Sequence, residues 1–345
     1  MLDVALENVS LDDRLRDITL TFAKSTHTCI AGPPAAGAST LLQIIAGQLR
    51  PSKGHIRFGA RDVTRLPPSR RPSLFATSAI DAPARWSVSH LLIAAVRRRS
   101  LDREDRKTEL DQTVEKWKLS AITGRSLRSL SSTEWTIVNL ARIELLRPAI
   151  LIADRLLEHV NPSAAAKIAD AFYRTLRVMG TTVISAPASA EELGLTDRLV
   201  VLDEGRVVQA DVAPHIYHHP LSEAAAQATG DVNVIPITVR GNVVASPIGS
   251  WQVANADFQG NGIALARPED FSIAEKGEES DLIFGIEEAS FRQGRWIATG
   301  ILTGGLNLRV VLPGDVPVHK GRLIPLRFDA ARFAILRGTP FAASL

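Results

Sequence analysis

The sequence predicts a mostly parallel α/β domain followed by a small all-β barrel domain. Two observations carry this expectation. Strands and helices alternate along the first two thirds of the chain, as in a sheet built from parallel strands with helical crossovers. Near residue 221 the composition shifts to many short strands separated by Gly-containing turns.

The elements follow in order. VALENVSL and ITLTF alternate apolar and polar residues, and HTCIAG reads as a more buried strand. A Gly-rich loop, GPPAAGAST, leads into an apolar-periodic helix from Ser39 to Leu49 that ends near Gly47. PSKGHIRFG is a turn and a strand, and residues 87–118 read as helical, with the exposed basic run Arg97, Arg98 and Arg99. A helix over Thr133–Leu146 precedes the β-branched strand AILIAD. Helix 162–178, strand TTVISA, helix EELGL and the hairpin DRLVVLDEGRVVQA complete the α/β part. AAAQATGDVNVIP is expected to be a linker; IPITV, GNVVAS, WQVAN, GIALARP, RWIATGIL, LNLRVVL and RLIPLRF are the strands that follow.

The 345 residues, 45% hydrophobic and 22% charged, suffice for two or three cores. The single cysteine, Cys29, excludes a disulfide framework and suggests a reducing compartment. MLDVALENVS lacks a basic segment followed by an apolar one, so no signal peptide is expected. No window approaches the roughly 20 apolar residues that span a bilayer, and a soluble or peripheral protein is expected. A net charge of +3 is too small to argue for nucleic acid, and the five tryptophans form no stacking platform.

GPPAAGAST has the form of a phosphate-binding loop in which lysine has become alanine. With IIAGQLRPSKGHIRFGARDVTRLPP, DRLVVLDEGRVVQ and ALARPED in order and spacing, the chain resembles the ATP-binding subunit of an ABC transporter. Within that family it resembles the class that drives carbohydrate or polyol (possibly glycerol) import and carries a C-terminal regulatory β domain. The resemblance covers nearly the whole chain. It implies a P-loop, RecA-like ABC domain over residues 1–221 with a helical subdomain at about 80–145. A linker over 222–233 and an OB-type, transport-associated (TOBE-like) domain over 234–345 would follow. The histidines of APHIYHHP, His215, His218 and His219, then fall on a helix and turn rather than a metal site.

The resemblance also assigns roles. Gly32, Pro33, Pro34, Ala35, Ala36, Gly37, Ala38, Ser39 and Thr40 form the phosphate loop that would bind ATP, with Ser39 and Asp154 as the Mg2+ positions. Ala38 stands where the family has a lysine. Losing that charge would weaken ATP binding roughly ten- to hundredfold. Arg155 stands at the position of the glutamate that activates water, Thr77 at that of the metal-sensing glutamine, and Ala188 at that of the histidine facing the γ-phosphate. The aromatic residue that would stack on adenine is missing from DDRLRDITL. The signature LSGGQ appears as Leu130, Ser131, Ser132, Thr133 and Glu134, and Asn161 replaces the usual aspartate of the loop that contacts the facing site.

Family members work as face-to-face dimers on two membrane subunits. The implied chain is a hydrolysis-deficient ATP-binding subunit on the cytoplasmic face of the inner membrane. Its partners would be an intact ABC ATPase paralogue, two integral-membrane permease subunits and, indirectly, a periplasmic solute-binding protein, with no nucleic acid. The alternatives are a non-transport regulatory or binding protein on an ABC scaffold, and an active ATPase using substitute residues. Arg155 either reflects drift or supplies the charge that Ala38 removed.

Overall fold

The computed structural model describes residues 2–79, 82–253, 257–274 and 282–338. They fall into two compact units, Met1–Ala213 and Pro214–Leu345. Ile80 and Asp81, where the expected helical subdomain begins, and residues 339–345 of the expected C-terminal domain lie outside the described residues.

The first unit opens with β1 (Val4–Leu11) and β2 (Leu15–Phe22), then β3 (His27–Ala31) and α1 (Ala38–Ala46). β4 (Lys53–Phe58), β5 (Arg61–Asp62) and β6 (Leu74–Thr77) follow, then α2 (Val88–Val96), α3 (Arg103–Lys116) and α4 (Ser132–Leu146). β7 (Ile150–Asp154), α5 (Pro162–Val178), β8 (Thr182–Ala186), β9 (Arg198–Asp203) and β10 (Arg206–Asp211) complete it.

The sheet order is β10-β9-β3-β8-β7-β6, parallel from β9 to β6, with β10 antiparallel at the edge. β3 and β8 are buried at every position, as strands covered on both faces must be. A second, antiparallel sheet, β2-β1-β4-β5, shares a core with α1 through Val4, Leu15, Phe22, Leu41 and Ile45. The helices α2 and α4 lie between β6 and β7 in the chain and bury Leu91, Leu92, Leu140 and Ile143 in a separate cluster.

Three local expectations differ from the structure. The helical stretch 87–118 is two helices, because Asp102 accepts from Asp105 N–H (2.7 Å) and starts α3 afresh. EELGL is a 3-10 turn, Ala190–Leu195, in which Glu192 folds back to accept from Ala188 and Ser189 N–H. The expected linker holds a capped helix.

In the second unit α6 (Ala213–His218) precedes that helix, α7 (Glu223–Thr229). Ser222 caps α7, and three alanines, the best helix formers, follow Glu223. The strands are β11 (Asn233–Arg240), β12 (Val243–Ser246), β13 (Gly249–Gln252), β14 (Gly260–Ala266) and β15 (Phe271–Ile273), then β16 (Leu282–Arg292), β17 (Arg295–Leu302), β18 (Leu306–Pro313), β19 (Leu323–Phe328) and β20 (Ala334–Arg337). They form two five-stranded antiparallel sheets, β13-β12-β11-β14-β20 and β15-β19-β16-β17-β18. Ile235, Ile237, Phe284, Val310 and Leu326 join both sheets in one core.

Candidate functional site

The phosphate loop leaves the C-terminal end of β3 and turns into α1. Two glycines shape it for steric reasons. A Cβ at Gly32 would lie 2.1 Å from Leu202 O, and Gly37, at φ 106°, has Leu15 Cδ2 only 2.6 Å from where a Cβ would stand. Ala35 takes a left-handed φ of 67°, a conformation that usually falls to glycine. Pro33 and Pro34 bring no N–H, and Ala36 N–H is used by Pro33 O (3.0 Å). The donors left for an anion are those at the head of α1, whose first intrahelical bond is Leu41 N–H to Gly37 O (2.8 Å) and which has no side-chain cap.

The loop floors a cleft of about 870 Å3, lined also by Asp13, Arg14, Arg16, Arg155, Pro187 and Glu204. Its size, its three arginines and the N–H groups at the head of α1 suit a nucleotide polyphosphate. Ser39, part of the lining, donates its Oγ–H to Asp154 Oδ1 (3.0 Å). Burial pushes the Asp154 carboxyl above its usual pKa, while the Ser39 hydrogen bond and the Arg155 charge act the other way. A hydroxyl and a carboxylate are oxygen donors of the kind Mg2+ takes. These two residues would hold the ion, which when bound supplies positive charge to the phosphates.

The positions expected to be catalytic lie at or just beyond the C-terminal ends of β6, β7 and β8. Thr77 and Ala186 flank Asp154 in the sheet register. Arg155, at φ 48°, donates its backbone N–H to Ala186 O and its guanidinium to Glu158 Oε1 (2.8 Å). A guanidinium stays protonated and cannot take a proton from water. The Thr77 hydroxyl is turned into its own loop, bonding Ala79 N and O, and Asn139 Nδ2 holds Thr77 O from α4 (3.0 Å). Ala188 offers a methyl, and its N–H is occupied by Glu192.

The signature residues make a helix start. Leu130 closes a 3-10 turn and Ser131 is the N-cap of α4. Ser131 Oγ accepts from Glu134 N–H (3.2 Å), and Glu134 Oε2 accepts from Ser131 N–H (2.8 Å). Arg125 pairs with the other carboxylate oxygen (2.7 Å). Ser131 N–H first, then the other contacts, hold the Glu134 pKa below the carboxylate range. The Ser131 amide is therefore spent within the chain, and the open backbone donors are those of Ser132 and Thr133.

Arg71, which no sequence motif marks, supports the site from below α1. Its buried guanidinium donates to Ile44 O (2.8 Å), Ile45 O (2.7 Å), Leu66 O (3.0 Å) and Thr64 O (3.2 Å). It so closes the C-terminus of α1 and fixes the helix that carries the loop. Nothing in the local sequence marks it, since its partners lie up to 27 residues away.

Parallel sheet, phosphate loop and inserted helices define an ABC-type P-loop ATPase fold with an added β domain. Residues 15–157 match the ABC transporter family. Among relatives, the chain is 26% identical to a molybdate/tungstate import ATP-binding protein of Pyrococcus horikoshii, over 92% of this chain and 93% of that one. It is 29% identical to a sulfate/thiosulfate import ATP-binding protein of Salmonella typhimurium (90% and 87%). An Fe(3+) ions import ATP-binding protein of Streptomyces avermitilis is 27% identical (76% of each). Of solved structures, an ATP-binding cassette of an ABC transporter in its ADP conformation superposes with TM-score 0.55 at 19% identity, over 67% of this chain and all of that one. A nucleotide-free cassette gives 0.52 at 21% (61% and 91%).

Proposed function

We propose that this chain is the ATP-binding subunit of an ABC importer, deficient in hydrolysis at its own site and paired with an intact ATPase paralogue on two permease subunits. The observation that carries this is the split in the site. The metal pair Ser39 and Asp154 is kept at 3.0 Å, while the groups around it are Ala38, Arg155, Thr77 and Ala188. Proton abstraction is worth several powers of ten in rate, and none of these side chains supplies it: Ala38, Thr77 and Ala188 are not bases and the Arg155 guanidinium stays protonated. The cleft binds nucleotide and Mg2+; the partner's site turns it over, with the head of α4 offered from this side.

The relatives' names support an importer but not the sugar or polyol cargo expected from the resemblance. Their named cargoes are molybdate or tungstate, sulfate or thiosulfate, and ferric ions, so the cargo is read as an inorganic ion. The subunit sits peripherally beneath its permeases; among the described residues no helix is long and apolar enough to cross a membrane. Co-expression with the intact paralogue and both permeases tests the reading. The four chains should co-purify. Replacing the paralogue's catalytic glutamate should abolish turnover, while Arg155→Ala in this chain leaves most of it. Failure to associate with the permeases contradicts the proposal.

A further inference from the structure

Two guanidiniums line the phosphate cleft with no partner among the described residues. Arg14 and Arg16 flank Leu15, which is fully buried, and both are exposed. Neither side chain makes a hydrogen bond or ion pair with the described residues. Their backbone, by contrast, is fastened to the site. Arg16 N–H donates to Gly205 O (2.8 Å), and Gly205 N–H donates to Ala36 O of the loop (3.2 Å). Arg14 O leaves no room for a side chain at Gly205, where a Cβ would stand 2.3 Å away. The β1–β2 hairpin thus carries two cations, Arg14 in the turn and Arg16 on β2, with no partner among the described residues, beside a loop that has Ala38 in place of lysine. Arg155 also lines the cleft but is tied to Glu158. The opposing carboxylates there are Asp13 and Glu204. No aromatic side chain is among the described residues of the lining.

We propose that Arg14 and Arg16 hold the phosphates of a nucleotide in place of the loop lysine, so that the cleft takes triphosphate chains with little regard to the base. This rests on the reading of the cleft as a nucleotide site. A guanidinium offers a planar fork of donors that suits phosphate oxygens and stays charged at every relevant pH. Selecting adenine needs hydrogen bonds to its edges or a stacking ring. A guanidinium laid on a base face would not read its edges.

The test is calorimetric titration of the full chain, in Mg2+, with ATP, GTP, inorganic tripolyphosphate and adenosine. The three triphosphates should bind within about threefold of one another and adenosine should not bind. Arg14→Gln and Arg16→Gln should each weaken all three by roughly tenfold. Arg61→Gln, the same charge loss on β5 away from the lining, should leave affinities unchanged. Both cleft residues are exposed, so the variants should melt as the parent does. ATP bound more than about tenfold tighter than GTP and tripolyphosphate overturns the indifference to base. ATP binding that survives both arginine variants overturns their assignment and leaves the nucleotide reading standing. A parent that binds none of the probes overturns both.

Discussion

Ser131 and Glu134 show how one pair of side chains can serve two descriptions. As a signature, Glu134 puts a negative charge where the resemblance expects a neutral amide; as a helix start, S-x-x-E is a capping box, and the structure forms it. Ser131→Ala should lower unfolding free energy by about 1 kcal/mol in urea titrations; an unchanged midpoint would show the cap to be idle. His27 is a second informative residue. It is 5% exposed, its Nε2 lies 2.8 Å from Ser185 Oγ, and its ring sits 4.2 Å from that of Tyr173. Burial pulls its pKa from 6.5 down to about 4, against the opposing effects of the Leu195 carbonyl and Asp197. The native chain keeps His27 neutral while the unfolded chain protonates it below 6.5. Stability from this residue is therefore full above that pH and lost as pH falls towards 4, by on the order of 3 kcal/mol. Urea midpoints between pH 7 and 4.5 should fall more steeply in the parent than in His27→Gln; parallel slopes would remove His27 from the account.

At the scale of elements, periodicity made the strand–loop–helix of the phosphate site legible. AILIAD lies in the sheet beside β6 and β8, with Asp154 at its end. What the sequence hid were contacts between distant segments. Arg71 reaches back to α1, the β1–β2 turn is stitched to the phosphate loop, and the segment expected as a linker is a helix. The signal for that helix is short, a serine ahead of Glu-Ala-Ala-Ala, and Gly230 and Asp231 follow it directly. Arg267 explains why the segment is ordered. Its guanidinium donates to Ala226 O (2.9 Å), Gly230 O (3.2 Å), Asp231 O (3.1 Å), Tyr217 O (3.0 Å) and Thr229 Oγ1 (2.8 Å), and lies 4.0 Å from the Tyr217 ring centre. Ala226 packs on Ile263 and Leu265 of β14 beneath it. Arg267→Ala leaves several buried carbonyls unpaired and should destabilise the C-terminal unit by about 3 kcal/mol. Amide exchange over 214–231 should speed up first; unchanged protection there would contradict the role of Arg267 as the clasp.

For the whole molecule the central claim is a division of labour between subunits. On the proposed reading the fold and the Ser39–Asp154 pair keep a place for nucleotide and metal, whereas Arg155, a guanidinium that stays protonated, stands where a base would activate water. The side chains that decide this stand at the ends of β6, β7 and β8, and only the sheet register brings them together. Phosphate release by the purified chain, alone with ATP and Mg2+, tests the claim most directly. The account predicts a rate indistinguishable from buffer. Magnesium-dependent release that Asp154→Ala abolishes would contradict it.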